Sequence, residues 1–150
     1  MIAYKYIDTK GATIAAIRDY KNMEVIIENT PEKIKNIYED MLCIKGININ
    51  DLPQKTNINY QEDKIVKSLD AIDILQQRYE NALEYMKWFK PAWNSLNENE
   101  KIILEKFYMA SNQKSGATKQ LCEILYRSSS TIDRIRGKSL KKLSIILYGK

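Results

Sequence analysis

Arg127, Ser128, Ser129, Ser130, Asp133, Arg134, Lys138, Lys141 and Lys142 crowd one short stretch near the C-terminal end of the chain. A guanidinium can donate two parallel hydrogen bonds to a phosphate or to a base edge. Hydroxyls both donate and accept, and ammonium groups pair with phosphates as point charges. The chain has no histidine, so mixed zinc sites and Ser-His or Cys-His nucleophile pairs are excluded. No glycine-rich phosphate loop is present, and no carboxylate cluster stands out from ordinary helix surface. These residues suit recognition of a polyanion better than bond making, and no enzymatic activity and no cofactor are expected.

The charge distribution agrees. From Asn112 to Lys150 nine Lys or Arg accompany two Asp or Glu, a net of +7, whereas residues 1 to 111 carry a net of −2. One end of the chain is built to meet a polyanion and the rest is not. A merely solvated helix face is the plain alternative, weakened because the cluster coincides with a structural pattern.

That pattern is a short helix, a break and a second helix. Ala117 to Leu125 directs Leu121, Cys122 and Leu125 inward, and Tyr126-Arg127-Ser128 interrupts the periodicity. Ser128 is placed to cap a helix running to about Leu147. At 100° per residue Ile132, Ile135, Ser139 and Leu143 share the inward side, while Ser130, Arg134, Gly137 and Lys141 point away with Asp133 and Lys138 on the flanks. Small residues at the tip and cations further back suit a helix that enters a groove N-terminus first. Gly137, exposed within a helix, costs roughly 1 kcal/mol relative to alanine and reads as a tolerated weakness.

Upstream elements must position this unit. Five Gly, three Pro and a 44% hydrophobic content over 150 residues predict an all-α chain of one domain or two small ones. Ile14, Ile17, Tyr20, Met23 and Ile27 form one apolar stripe from Gly11 to Glu28. Thr30 and Pro31 then suit an N-cap and first position of a second helix carrying Ile34, Ile37, Tyr38, Met41 and Leu42, a kinked continuous helix being the alternative. Residues 45 to 60 read as a connecting loop. Ile65, Leu69, Ile72, Gln76, Tyr79, Leu83 and Met86 then make a heptad seam on a helix from about Glu62 to Phe89, stopped by Pro91. The seam must be buried within the chain or against a second copy as a coiled-coil homodimer.

Trp88, Phe89, Pro91 and Trp93 are expected to pin the two parts together and to mark a boundary near Pro91. Residues 1–91 then form a helical interaction domain, and 92–150 a helix-turn-helix domain. Asn97 with Glu100 caps a leading helix with Ile103, Phe107 and Leu104 inward, followed by a polar loop from Ser111 to Gly116. Cys43 and Cys122 predict buried thiols rather than a bridge. No apolar run approaches the ~18 residues that span a bilayer, and no signal-type h-region opens the chain, which predicts a cytosolic protein without membrane contact.

The stretch from Leu96 to Leu143 resembles region four of sigma factors. The resemblance lies in the leading helix ending in Glu105-Lys106-Phe107-Tyr108, the support helix Lys119 to Leu125, and the run from Arg127 to Leu143. With helices and a loop ahead of that unit, the whole chain is similar to sigma-like phage and prophage regulators of the RinA and ArpU type, activators of late phage genes in low-GC bacteria. The resemblance implies base contacts from Ser129, Ser130 and Arg134, and backbone contacts from Arg127, Asp133, Lys138 and Lys141. Lys119, Ser128 and Lys142 complete the candidate set.

Sigma factors commonly carry an Arg-Glu pair where this chain has Ser129-Ser130, and a longer polar residue in place of Asp133, so the DNA sequence read should differ. No counterpart of the promoter-melting region two lies upstream. The expected function is transcription regulation, as an activator of phage or prophage genes, at the nucleoid in the cytoplasm of a bacterial host. The expected partners are duplex promoter DNA and host RNA polymerase. A DNA-binding subunit of the small-terminase type and a region-four mimic that captures polymerase without DNA are the alternatives.

Overall fold

The computed structural model describes residues 8–45, 57–110 and 114–149, and every element among them is helical. The elements are α1 (Thr9–Lys45), α2 (Asn57–Asn94), α3 (Glu98–Leu104), α4 (Lys114–Leu125) and α5 (Ser129–Tyr148). A single widened turn, Glu105–Met109, continues α3 and closes with the Ala110 N–H on the Glu105 carbonyl at 3.2 Å. No helix among the described residues is long and apolar enough to cross a membrane.

Neither expected proline break ends a helix. α1 runs through Pro31, and Thr30 is not an N-cap: its hydroxyl donates to the Ile26 carbonyl one turn back at 2.5 Å. Proline removes one backbone donor and crowds one carbonyl, a cost of about 3 kcal/mol. The apolar face continues on both sides of it, with Thr30 and Met41 buried and Ile27, Ile34 and Ile37 half-buried, so burial keeps the 37-residue helix whole. Pro91 likewise lies inside α2, where Ala92 and Trp93 are buried and draw the last turn onward to Asn94. Most of the expected 45–60 loop lies outside the described residues, but residues from Asn57 onward are already helical. α4 starts at Lys114, three residues earlier than its apolar pattern suggests; 111–113 lie outside the described residues.

Compactness divides the chain into Glu24–Glu84 and a second unit that takes the chain up to Met23 together with everything from Tyr85. This division differs from a boundary at Pro91, because the aromatic residues near Pro91 lie within the second unit. In the Glu24–Glu84 unit the heptad seam is covered at four of its six positions. Ile72 is buried and Ile65, Tyr79 and Leu83 are half-buried, whereas Leu69 and Gln76 are exposed. The covered face also takes in Ser68 and Leu75, each one residue before an exposed seam position, and Ala82. A small side chain lets a neighbouring backbone come close, and a seam traced through large apolar residues overlooks it. Cys43 is exposed rather than buried, and Cys122 is half-buried; both are free thiols.

The other unit has an aromatic core. Phe89 is fully buried, with the rings of Tyr85, Tyr20 and Trp93 at 5.3, 5.6 and 5.7 Å between centroids. Ala16 and Ile17 of α1, Leu96, Leu104 of α3, and Leu140 and Leu143 of α5 complete the cluster. The apolar end of α5 also docks here: Leu147 packs on this cluster and the Tyr148 ring meets Trp88 edge-on at 5.7 Å. The Trp88, Phe89 and Trp93 side chains therefore hold the start of α1 and the end of α5 to the end of α2.

The Tyr85 hydroxyl donates to the Ala16 carbonyl at 2.5 Å, tying α2 to α1. Burial, with smaller contributions from Asp19, Tyr20 and Tyr148, pushes this phenol well above its ordinary value. A raised folded-state value favours the protonated form, so its contribution to stability is complete below the unfolded pKa of about 10 and declines as pH rises beyond it. Tyr85→Phe is expected to cost about 1 kcal/mol at neutral pH through the lost hydrogen bond. It should also flatten the alkaline decline, leaving the smaller share due to Tyr108 and Tyr148, whose phenols burial also raises. Urea denaturation of both proteins between about pH 8 and 11 measures this, and parallel declines would refute it.

Candidate nucleic-acid interface

Two helix starts set the site. Asn97 accepts from the Glu100 N–H while the Glu100 carboxylate accepts from the Asn97 N–H, both at 2.9 Å, a complete capping box at the start of α3. Ser128 caps α5: its hydroxyl accepts from the Thr131 N–H at 3.4 Å and lies 2.9 Å from the Thr131 hydroxyl and 3.2 Å from that of Ser130. The first turn of α5 contains no acidic residue, which leaves the positive end of the helix dipole open to an anion.

A second apolar cluster fixes α4 and α5 to α3. Ile103, Phe107, Ala117, Leu121 and Ile132 are its buried members, with Cys122, Leu125 and Ile135 partly covered around them. Along α5 the expected inward residues are found inward: Ile132, Ser139 and Leu143 are fully buried and Ile135 half-buried. The buried face is wider than the sequence pattern suggests, because Leu140 and Ser144 join it. Ser139 is tolerated there since its hydroxyl donates to the Ile135 carbonyl at 2.7 Å.

The basic residues of this end fall into two groups. Arg136 lies over the Phe107 ring, 4.4 Å from its centroid, and reaches Asp133 at 3.3 Å. Lys142 donates to the Ser95 carbonyl at 3.1 Å and to the same Glu100 oxygen that closes the capping box, at 3.2 Å. These two cations are committed within the chain. Lys119, Arg127, Arg134, Lys138 and Lys141 are exposed, and their side chains have no ion pair or hydrogen bond among the described residues.

The expected site residues are therefore only partly equivalent. Ser129, Ser130, Arg134, Lys138 and Lys141 share the exposed surface of α5, with Arg127 just before it and Lys119 on α4. Ser128 serves the cap. Asp133, a carboxylate that would repel phosphates, is held by Arg136, and Lys142 secures α5 to the start of α3. Around Gly137 an added Cβ would meet no atom within 4 Å, so no close approach inside the chain requires the glycine.

Tyr126 is the residue that the sequence pattern missed. It occupies the left-handed region at φ 51° in the turn between α4 and α5, and the residue is 92% exposed. That conformation costs a non-glycine residue roughly 1–2 kcal/mol. Among the described residues no group of carboxylates or thiols is arranged to hold a metal ion. Comparison of the chain with protein-family models, with curated proteins and with solved structures gives no match.

Proposed function

We propose that the chain binds duplex DNA through the outer face of α5, with α4 and α5 acting as a helix-turn-helix, and that it regulates phage or prophage promoters. The observation that carries this reading is the sorting of the cations. Arg136 and Lys142 are engaged by Asp133, Phe107 and Glu100, whereas the partnerless Arg134, Lys138 and Lys141 share the exposed surface of α5 with Ser129, Ser130 and the open end of its dipole. A surface that merely kept the protein soluble would mix both signs. Promoter DNA, rather than duplex DNA in general, is favoured by the resemblance of Leu96 to Leu143 to region four of sigma factors.

On this reading Ser129, Ser130 and Arg134 enter the major groove, where arginine can pair with both acceptors of a guanine. Lys138, Lys141, Arg127 and Lys119 meet phosphates. Selection of bound sequences from a random duplex library with the purified chain tests the function directly. On the selected duplex, Arg134→Ala is expected to weaken binding by ~1–3 kcal/mol and to relax preference at one position of the site. Lys141→Ala should weaken selected and random duplexes alike and reduce the salt slope by about one. Equal losses on both duplexes for both variants would refute these roles. A ring of many subunits in light scattering would favour a packaging subunit, and polymerase capture without salt-dependent DNA binding would favour a region-four mimic.

A further inference from the structure

The turn between α4 and α5 gives up stability at two successive positions. α4 ends with the Arg127 N–H on the Cys122 carbonyl at 3.3 Å, and Tyr126 lies just before Arg127 at φ 51°. In a helix ending of this kind glycine suits the left-handed position, because it has no Cβ to crowd the backbone. The next residue is commonly apolar and packs back on the last turn. Here tyrosine takes the first position and arginine the second, and both side chains stand in solvent. Tyr126 makes no ring contact or hydrogen bond, and Arg127 no side-chain ion pair, among the described residues. Ile124, about half exposed in the last turn of α4, adds apolar surface at the same end.

A large ring in a strained backbone conformation, almost entirely in water, has no compensating contact inside the protein. Such an outlier points to a use outside it. The chemistry exposed within four successive residues is a phenol donor, a guanidinium fork and apolar surface. Phosphate oxygens accept from the first two, and the sugar of a nucleic-acid backbone can cover the third. We infer that Tyr126 and Arg127 grip the phosphodiester backbone of the DNA strand that borders the groove entered by α5. This rests on the DNA-binding reading, in which Arg127 already meets phosphate, and adds Tyr126 to it: the helix face reads bases, and the tyrosine makes the turn a second grip on the strand beside it.

The test uses the full chain, the duplex selected by the wild-type protein, a random duplex of equal length, and the variants Tyr126→Gly and Tyr126→Phe. Tyr126→Gly relieves the backbone strain and is expected to raise the melting temperature by about 3 °C. The same variant should weaken binding to both duplexes about tenfold, the effect of one charge-assisted contact. Tyr126→Phe keeps the ring and the strain, so it should melt with the wild type and lose only the share of affinity due to the hydroxyl. A purely structural tyrosine cannot produce opposite changes in stability and affinity.

Wild-type affinity in Tyr126→Gly overturns the inference, as does a lowered melting temperature, which would show that the ring stabilises the turn. Unchanged DNA affinity with loss of co-purifying RNA polymerase would assign the turn to a protein and also overturn it. Absence of salt-dependent duplex binding by the wild-type chain is a separate result, seen before any variant is made. It removes the DNA-binding reading and this inference with it.

Discussion

Phe89→Ala is expected to cost about 4 kcal/mol of folding stability, within the usual range for deleting a buried phenylalanine. Phe89 is completely covered and lies within 6.4 Å, centroid to centroid, of the rings of Tyr20, Tyr85, Trp88 and Trp93. Its removal leaves a void that those rigid rings cannot easily close, since each is also held by another element. Tyr85 is tied to the Ala16 carbonyl and Trp88 to Tyr148. Both tryptophans of the chain belong to this group, so their emission reports on it directly. The expected result is a large drop in the urea midpoint, with tryptophan emission already shifted to the red before the main transition. An unchanged midpoint would mean that the aromatic group does not hold α1 and α5 to α2.

Ile132→Ala should cost about 3 kcal/mol, but through a different part of the protein. Ile132 is fully buried on the inner side of α5 among Ile103, Phe107, Ala117 and Leu121, away from both tryptophans in cluster membership. The first turns of α5 depend on this cluster, whereas Leu140, Leu143 and Leu147 hold its later turns to the aromatic group. Hydrogen exchange should therefore accelerate first in α4 and in α5 up to about Ile135, with tryptophan emission nearly native. Under the proposed function, affinity for the selected duplex should fall as well, since Ser129, Ser130 and Arg134 ride on the loosened turns. Uniform acceleration over α4 and the whole of α5 would show instead that the two clusters open as one.

The difference between these two variants also indicates how far the sequence could be read. The later helices were legible because their signals are local. Asn97 and Glu100 form the expected capping box, Ser128 caps α5, and Ile132, Ser139 and Leu143 recur at helical spacing. Proline left two readings of α1 open and misled that of α2, since a missing donor is visible in the sequence and continued burial on either side is not. On α2 the seam is covered at Ile65, Ile72, Tyr79 and Leu83, and what it overlooks includes Ser68 and Ala82, which carry no large hydrophobic signal. In the candidate site, residue types were legible and allegiances were not. Lys142 and Glu100 are 42 residues apart, and nothing local shows that one lysine of the Lys141-Lys142 pair is committed inward and the other is not. The Asp133–Arg136 pair, at i and i+3, could have been read as a helix-surface ion pair. The left-handed conformation of Tyr126 had no signal, because the residue there is not glycine.

One consequence of how α5 is fastened concerns the capacity of this chain to change. The residues that anchor the helix, Ile132, Arg136, Ser139, Leu140, Lys142 and Leu143, do not include Ser129, Ser130, Arg134, Lys138 or Lys141 on its outer surface. Exposed positions away from caps and cores usually accept substitution within about 0.5 kcal/mol. The rotational setting of the helix is held by Arg136 over Phe107 and by Lys142 on the start of α3, so a new side chain at 130 or 134 inherits the aim of the old one. Under the proposed function, such an arrangement lets descendants of one sequence drift to new targets by single steps without losing their fold on the way. Ser128 is the exception, because a change there unseats the first turn that carries the others.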